Sequence, residues 1–310
     1  MASPTHPISP SIYQNTWQSG SNYIRPQDYF GYHLDIGEQY GGPLYFVHYS
    51  FLGLDPRQMQ DKATFYWKDF VSQTMMNRGY CIYIAPKDQQ YSEKSWGLTS
   101  SDEQNGYDSH NPGRDNGTIA PTAALSSMPY TPYYSMQVLK NLYDNDNRNT
   151  FGPYGFYDAY NKKQNWYSTQ YIAIDQGPII VMIENYRTGL IWKLFMNIPA
   201  IKTALGKANI NKPTLATGFA YSVIESQTKV LDMMKHPDSG MFELDYYLAE
   251  NDKVTIELQN ADGSTISKLI DNQAVTLGQN TLKFITDKTG KLQLKLSTAS
   301  KSDVLAVNLH

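Results

Sequence analysis

The sequence predicts a mainly α fold, part of an (α/α)6 toroid, followed by a small Ig-like β-sandwich. Three observations carry this expectation. Helix-start signals recur through residues 1–235, the connections between them alternate between short and long, and beyond residue 250 the apolar period changes from helical to alternating. The expected domains are 1–235 and 245–310, with the join inside 236–250.

The first helix starts where Pro10 follows Ser9 and runs to about Gln18. Asp55-Pro56 joins an N-cap to a first-turn proline. It is expected to open a helix that ends near Arg78-Gly79, with Met59, Ala63, Tyr66 and Phe70 on one face. Thr131-Pro132 repeats the signal before the stripe Met136, Leu139, Leu142 and Tyr143. Gly177-Pro178 is expected to open a helix to about Asn185, and residues 190–196 form another after Thr188-Gly189. The connections at 127–131 and 187–189 are short, whereas those at 20–54, 80–118 and 145–175 are long. Short turns at one end of helical hairpins and long loops at the other suit a toroid, whose long-loop end carries the site. About six helices are expected where a closed ring of six hairpins has about twelve, so the chain supplies about half of one. After residue 250, strands are expected at 254–258, 264–270, 281–285, 291–296 and 304–309, with Asn260-Ala261-Asp262-Gly263 as a hairpin turn.

Composition narrows the function. The net charge is −3 with 26 Lys and Arg and no basic run, which disfavours a nucleic-acid partner. The best apolar stretch, 178–183, is far below the roughly 18 residues of a membrane span. The lone Cys81 excludes an internal disulfide, and the opening residues have no basic start or apolar core, so no signal peptide is expected in this chain. The informative excess is 25 Tyr, 11 Phe and 5 Trp. Aromatic rings with a polar edge suit sugar rings, although Tyr-rich loops also simply pack on helices.

No nucleotide loop, zinc spacing or nucleophile elbow is present, so no metal and no cofactor is expected. Asp144-Asn145-Asp146-Asn147 starts like a calcium loop but lacks its glycine and distal glutamate. Four segments remain that carry acids. One long loop holds Trp96 and Asp102. A Gly/aromatic loop holds Tyr154, Tyr157 and Asp158. Asp175 stands before Gly177-Pro178 at a helix N-terminus, where the dipole favours its charged form. Glu184 and Arg187 are three apart on one helix face. Each also has a structural reading: a helix cap for Asp175, an ion pair for Glu184–Arg187, Asx turns for Asp102 and Asp158. Glycoside hydrolysis needs two carboxyl groups across the bond, roughly 6.5–9.5 Å apart for inversion or about 5–5.5 Å for retention.

Several motifs occur together, in order: Ala2-Ser3-Pro4-Thr5-His6-Pro7, Tyr40-Gly41-Gly42-Pro43-Leu44, His48-Tyr49-Ser50-Phe51-Leu52-Gly53-Leu54-Asp55-Pro56-Arg57, Trp96-Gly97-Leu98-Thr99, Ile119-Ala120-Pro121-Thr122-Ala123-Ala124, Tyr154-Gly155-Phe156-Tyr157-Asp158-Ala159 and the stretch 174–192. In order and spacing, the segment 2–200 resembles the glucoamylase-like family that includes bacterial endo-β-1,2-glucanases. The resemblance implies an (α/α)6 toroid that hydrolyses β-1,2-glucan with inversion or releases sophorose units, in a periplasmic or secreted parent protein. It implies a catalytic role for Asp175, and catalytic or substrate-binding roles for Asp102, Asp158 and Glu184. Trp96, Tyr154, Tyr157, Arg187 and His48 are the implied substrate contacts, and the implied partner is an oligo- or polysaccharide. The family pattern has an upstream half, carrying an Asp and a Glu one helical turn apart, before the Ser-Pro-Thr-His-Pro stretch at which this chain begins. The missing N-terminal half would hold the general acid. Alternative readings are a non-catalytic glycan-binding or scaffold protein, or a glucan-remodelling transglycosylase.

Overall fold

First-turn prolines open four helices of the first unit, and alternating apolar residues build the sheets of the second. The structure, a computed structural model, describes residues 1–19, 23–145, 149–213, 228–235, 239–276 and 278–309. The chain forms two compact units: Met1–Tyr29 with His33–Phe219, and Phe30–Tyr32 with Ala220–His310.

The helices of the first unit are α1 (Pro10–Ile12), α2 (Tyr45–His48), α3 (Tyr66–Gly79), α4 (Pro121–Leu125), α5 (Pro132–Lys140), α6 (Ala173–Arg187), α7 (Leu190–Met196) and α8 (Pro199–Lys207). Between them run short antiparallel pairs: β1 (Ile24–Tyr29) with β2 (Tyr32–Ile36), β3 (Ser100–Glu103) with β4 (Gly106–Ser109), β5 (Phe151–Gly152) with β6 (Gly155–Phe156), and β7 (Tyr160–Asn161) with β8 (Trp166–Tyr167). The expected long loops therefore contain short hairpins. Together with the strands of the second unit they make the fold mixed α and β rather than mainly α.

Two helix starts differ from expectation. Pro56 opens only the 3-10 turn Pro56–Gln58, because the Asp55 carboxylate caps the Arg57 N–H at 3.1 Å and holds its guanidinium at 2.8 Å. The chain then turns on Asp61, which accepts the N–H groups of Ala63 and Thr64, and Gln60 pairs with Asn211. Met59 and Ala63 thus lie outside α3, which begins at Tyr66. Helix α6 starts at Ala173, ahead of Gly177-Pro178, and carries Pro178 in its interior. The proline lacks one donor, which leaves a single carbonyl of the first turn without its helical partner.

The second unit contains β9 (Lys229–Lys235), β10 (Met241–Leu248), β11 (Asp252–Asn260), β12 (Thr265–Val275), β13 (Gly278–Ile285), β14 (Gly290–Ser297) and β15 (Ser302–Leu309). All pairs are antiparallel, in sheets ordered β13-β10-β9 and β12-β11-β14-β15. Phe242, Leu244, Tyr246 and Leu248 of one sheet meet Val254, Ile256, Leu258, Leu292, Leu294 and Leu296 of the other in one apolar core, as expected of two facing sheets. The turn after β11 closes with the Gly263 N–H on the Asn260 carbonyl at 3.0 Å and a left-handed φ of +88° at Gly263. Strand pairing begins at Lys229, before the expected 236–250 join. The register of β9 and β10 shifts between Asp245 and Tyr246, which interrupts the alternation that would have marked them.

Asn77 of α3, fully buried, fixes the segment that leads into β3. Its Oδ1 accepts the Leu98 N–H at 3.1 Å and its Nδ2 donates to the Leu98 and Gly42 carbonyls at 3.2 and 2.8 Å. Next to it Gly97 has φ +125°, and a Cβ there would lie 2.7 Å from the Ala123 Cβ of α4. Gly97→Ala is expected to lower stability by about 2–3 kcal/mol through overpacking and backbone strain. Urea unfolding checks this, and a change below about 0.5 kcal/mol would show that the segment shifts freely.

Candidate active site

The two long segments expected at one end of the helices do meet, at the N-terminal end of α6. Asp175, third residue of that helix, is fully buried. Its Oδ1 accepts the Tyr49 hydroxyl at 2.8 Å and its Oδ2 the Tyr107 hydroxyl at 3.1 Å. Tyr49 comes from the 3-10 turn Tyr49–Leu52 after α2, and Tyr107 from β4. Tyr107 is 48% exposed and links the carboxylate to the surface.

Asp158 stands beside Asp175, 1% exposed. Its Oδ2 accepts the Asp102 backbone N–H at 2.7 Å, whereas its Oδ1 meets no donor. Asp102 in turn accepts the Ser168 hydroxyl at 2.5 Å, which ties β3 to the segment after β8. Three carboxyl groups thus converge with two phenols.

Burial raises the proton affinity of Asp175 above that of an ordinary carboxyl, and the two phenol donors and Asp158 partly offset this. The Asp158 carboxyl is pushed up to about 7, first by burial and then by the charges of Asp175 and Asp102. Burial and the adjoining Asp175 also raise Tyr49 and Tyr107, which remain protonated donors. The expected depression of Asp175 by the helix dipole is therefore overridden. Removal from water outweighs the few tenths to about 2 kcal/mol that a helix terminus supplies.

Aromatic residues adjoin the cluster along the chain, Tyr157 next to Asp158 and Tyr171 four residues before Asp175. Tyr171, just before α6, packs on Tyr157 at 5.1 Å and on Tyr154 at 5.5 Å between centroids, and Tyr154 is 85% exposed.

Residues 1–199 match the family model described as "Putative glucoamylase". The chain belongs to this glucoamylase family. Among glucoamylase-family relatives it is similar to an exo β-1,2-glucooligosaccharide sophorohydrolase (non-reducing end) of Parabacteroides distasonis. The two are 41% identical over 223 residues, 66% of this chain and 31% of that protein. Among solved structures, it resembles an endo-β-1,2-glucanase of Chitinophaga pinensis in complex with sophorotriose and glucose, at 45% identity and TM-score 0.63, over 69% of this chain and 53% of that one. A β-1,2-glucanase of Parabacteroides distasonis matches at 39% identity and TM-score 0.60, over 67% of this chain and 33% of that one. The chain spans between a third and a half of the length of these relatives.

In this glucoamylase-family chain the remaining candidates lie apart from the carboxyl cluster. Glu184 and Arg187 form a surface pair at 3.4 Å toward the C-terminal end of α6, and Glu184 also accepts the Thr188 hydroxyl at 2.6 Å. Glu184 lies nine residue steps along the helix from Asp175, about 14 Å of rise, so it cannot join that cluster. A cavity of about 670 Å³ at this far end is lined by Arg57, Lys193 and Lys202 among others and holds none of the clustered carboxylates. Trp96 is fully buried and offers no face to a sugar. His48 is 1% exposed, bonds Ser127 through Nε2 at 2.9 Å and lies parallel to the Tyr130 ring. Burial pushes its imidazole down to about 3, so it is a neutral core group. The start of the Asp144 segment has no cluster of metal-ligating groups around it among the described residues, and 146–148 lie outside them. Sequence reasoning missed Tyr49, Tyr107 and Ser168, because phenol and hydroxyl donors to a carboxylate leave no spacing signal.

Proposed function

We propose that the chain forms the base side of an active site for inverting hydrolysis of β-1,2-glucan, with Asp175 as the base and Tyr154, Tyr157 and Tyr171 at the glycan-binding mouth. The observation that carries it is a buried carboxylate with two phenol donors, one of them half-exposed, beside a second buried carboxyl, with Tyr157 next to Asp158 in the chain and Tyr171 four residues before Asp175. Glycan hydroxyls and sugar faces match such a mouth, and a carboxylate held by donors can accept a proton from attacking water. Asp158 touches the same proton system, so it does not stand across the scissile bond from Asp175, where about 6.5–9.5 Å is required. The opposing acid is expected in the part of the relatives' length outside residues 1–199. The first unit reads as part of an (α/α)6 toroid, supported by the likeness to solved family structures. The second reads as an Ig-like accessory domain, supported by its strand order. A periplasmic or secreted site of action fits a polysaccharide substrate.

The test is incubation of the chain, joined to the part of its relatives' length that supplies the opposing acid, with β-1,2-glucooligosaccharides and β-1,2-glucan polymer, with products resolved by size and anomeric form; the rate measurements below use the same protein. Release of sophorose or short products in the inverted anomer is expected. Binding without turnover would instead make this chain a glycan-binding module, and neither would remove the reading altogether.

Tyr49→Phe tests the electrostatics. Losing a hydrogen bond to a charged group removes about 1.5–3 kcal/mol of preference for the charged form, roughly one to two pH units. Asp175 then holds its proton to higher pH, so the acid limb of the activity profile is expected to move upward by about that amount. An unmoved limb would show that Asp175 is not the base.

A further inference from the structure

We propose that Asp158 is a positioning residue that carries a proton on Oδ1 and donates it to Asp175, so that the two carboxyls act as one unit sharing a single proton. This rests on the reading of Asp175 as the charged base. Asp158 Oδ1 is buried and meets no donor, while Oδ2 is already occupied by the Asp102 N–H. An ionised carboxylate has acceptor capacity only, and a bare oxygen facing another buried carboxylate is strongly unfavourable. A protonated one turns that oxygen into a donor and removes the like-charge repulsion. The phenols of Tyr49 and Tyr107 already donate to Asp175, so a bridging O–H from Asp158 is its third donor.

The groups that face the pair are Asp102 from β3, Tyr107 from β4 and Tyr49 from the turn after α2, together with Asp175 of α6 itself. None of these groups is a cation that would compensate a second negative charge. When water attacks, one of its O–H bonds breaks and that proton goes to Asp175, while its oxygen bonds to the anomeric carbon as the glycosidic C–O bond breaks and the leaving oxygen takes a proton from the opposing acid. The proton on Asp158 stays where it is. Rising pH removes it, both carboxyls become charged, and Asp175 loses its third donor.

The pair's folded-state proton affinity is raised, so its contribution to stability is full below the unfolded carboxyl value near 4 and is lost as pH rises through about 7. The experiment measures melting temperature from about pH 4.5 to about pH 8.5 for the full chain and for Asp158→Asn. Asn keeps the shape, accepts the Asp102 N–H through Oδ1 and donates through Nδ2 without titrating. The wild type is expected to lose melting temperature across this range and Asp158→Asn to lose measurably less, with the variant overtaking the wild type at the alkaline end. Asp69, a separate carboxyl that burial raises to about 6, contributes equally to both curves and cancels in the comparison. Asp175→Asn makes the same comparison from the other partner, since removing its charge also flattens the curve. Equal pH dependence in wild type and variants overturns the proposal.

Activity supplies the second arm. Asp158→Ala, which can neither donate nor accept, is expected to lose at least about 100-fold, and Asp158→Asn to stay within about tenfold of wild type with its alkaline limb displaced upward. Equal losses in the two variants also overturn the shared proton. Should the wild type turn over no glucan, the hydrolase reading falls while the thermal comparison still decides this one.

Discussion

Asp175→Asn is expected to lower turnover of β-1,2-glucooligosaccharides by about 10²–10⁴-fold while leaving the fold intact, the range by which a positioned base accelerates proton transfer. The substituted amide is nearly the same size, its oxygen still accepts from Tyr49, and its NH2 can face the Tyr107 oxygen. What disappears is the capacity to take a proton from water. Folding is expected to hold or improve at neutral pH, because a fully buried carboxylate whose charged form burial disfavours is replaced by a neutral group. The measurement is initial rate beside melting temperature for the two proteins. Turnover within a few-fold of the wild type, or a loss that follows unfolding, would return Asp175 to a purely structural place at the start of α6.

The largest stability effect is expected at Trp192. Its side chain is 1% exposed, its Nε1 donates to the Phe51 carbonyl at 2.7 Å, and its ring meets Trp67 edge to face at 6.2 Å, with the Arg57 guanidinium 4.5 Å from the ring centre. Asn185 holds the same corner, accepting the Trp192 N–H at 3.0 Å and donating to the Leu52 carbonyl at 2.9 Å. These bonds tie the α6–α7 turn to the 3-10 turn that presents Tyr49. Trp192→Ala removes that packing and leaves the Phe51 carbonyl without its donor, at a cost of about 3–5 kcal/mol. For a unit of this size that corresponds to a fall of roughly 6–20 °C in the melting temperature. Because the turn carrying Tyr49 loosens, glycan turnover is expected to fall as well, below the melting transition. A melting temperature within about 2 °C of wild type would show that the corner is held without the indole.

Much of the local structure was legible in the residue order. Pro10 and Pro132 each open a helix as their positions predict, since a proline in the first turn forfeits no hydrogen bond, whereas the same signal at Pro121 and Pro199 went unread. The alternation at 254–258 and 291–296 places every second side chain in the core of the second unit. Asp102, Asp158 and Asp175 stood out as acids in Gly- and aromatic-rich surroundings, and the three do converge. The same local reading misplaced the start of α3, because an Asp55–Arg57 pair and an Asp61 turn captured backbone groups that a helix would have used. It also took hairpins such as β3–β4 and β5–β6 for plain loops, since their strands are too short to show a period.

By itself, then, the sequence determined where most of the helices and sandwich strands form and which acids and aromatics are available for chemistry, because propensity, capping and period act over a few neighbouring residues. Only the tertiary structure decided which acids meet. It buried Trp96 and His48, left Glu184 and Arg187 at the surface, and brought Tyr49, Tyr107 and Asp158 to Asp175 from segments as far as 126 residues away. It also reversed the direction of the Asp175 shift. A helix dipole can be read from position, but desolvation depends on everything packed around the group, and here the burial outweighs the dipole.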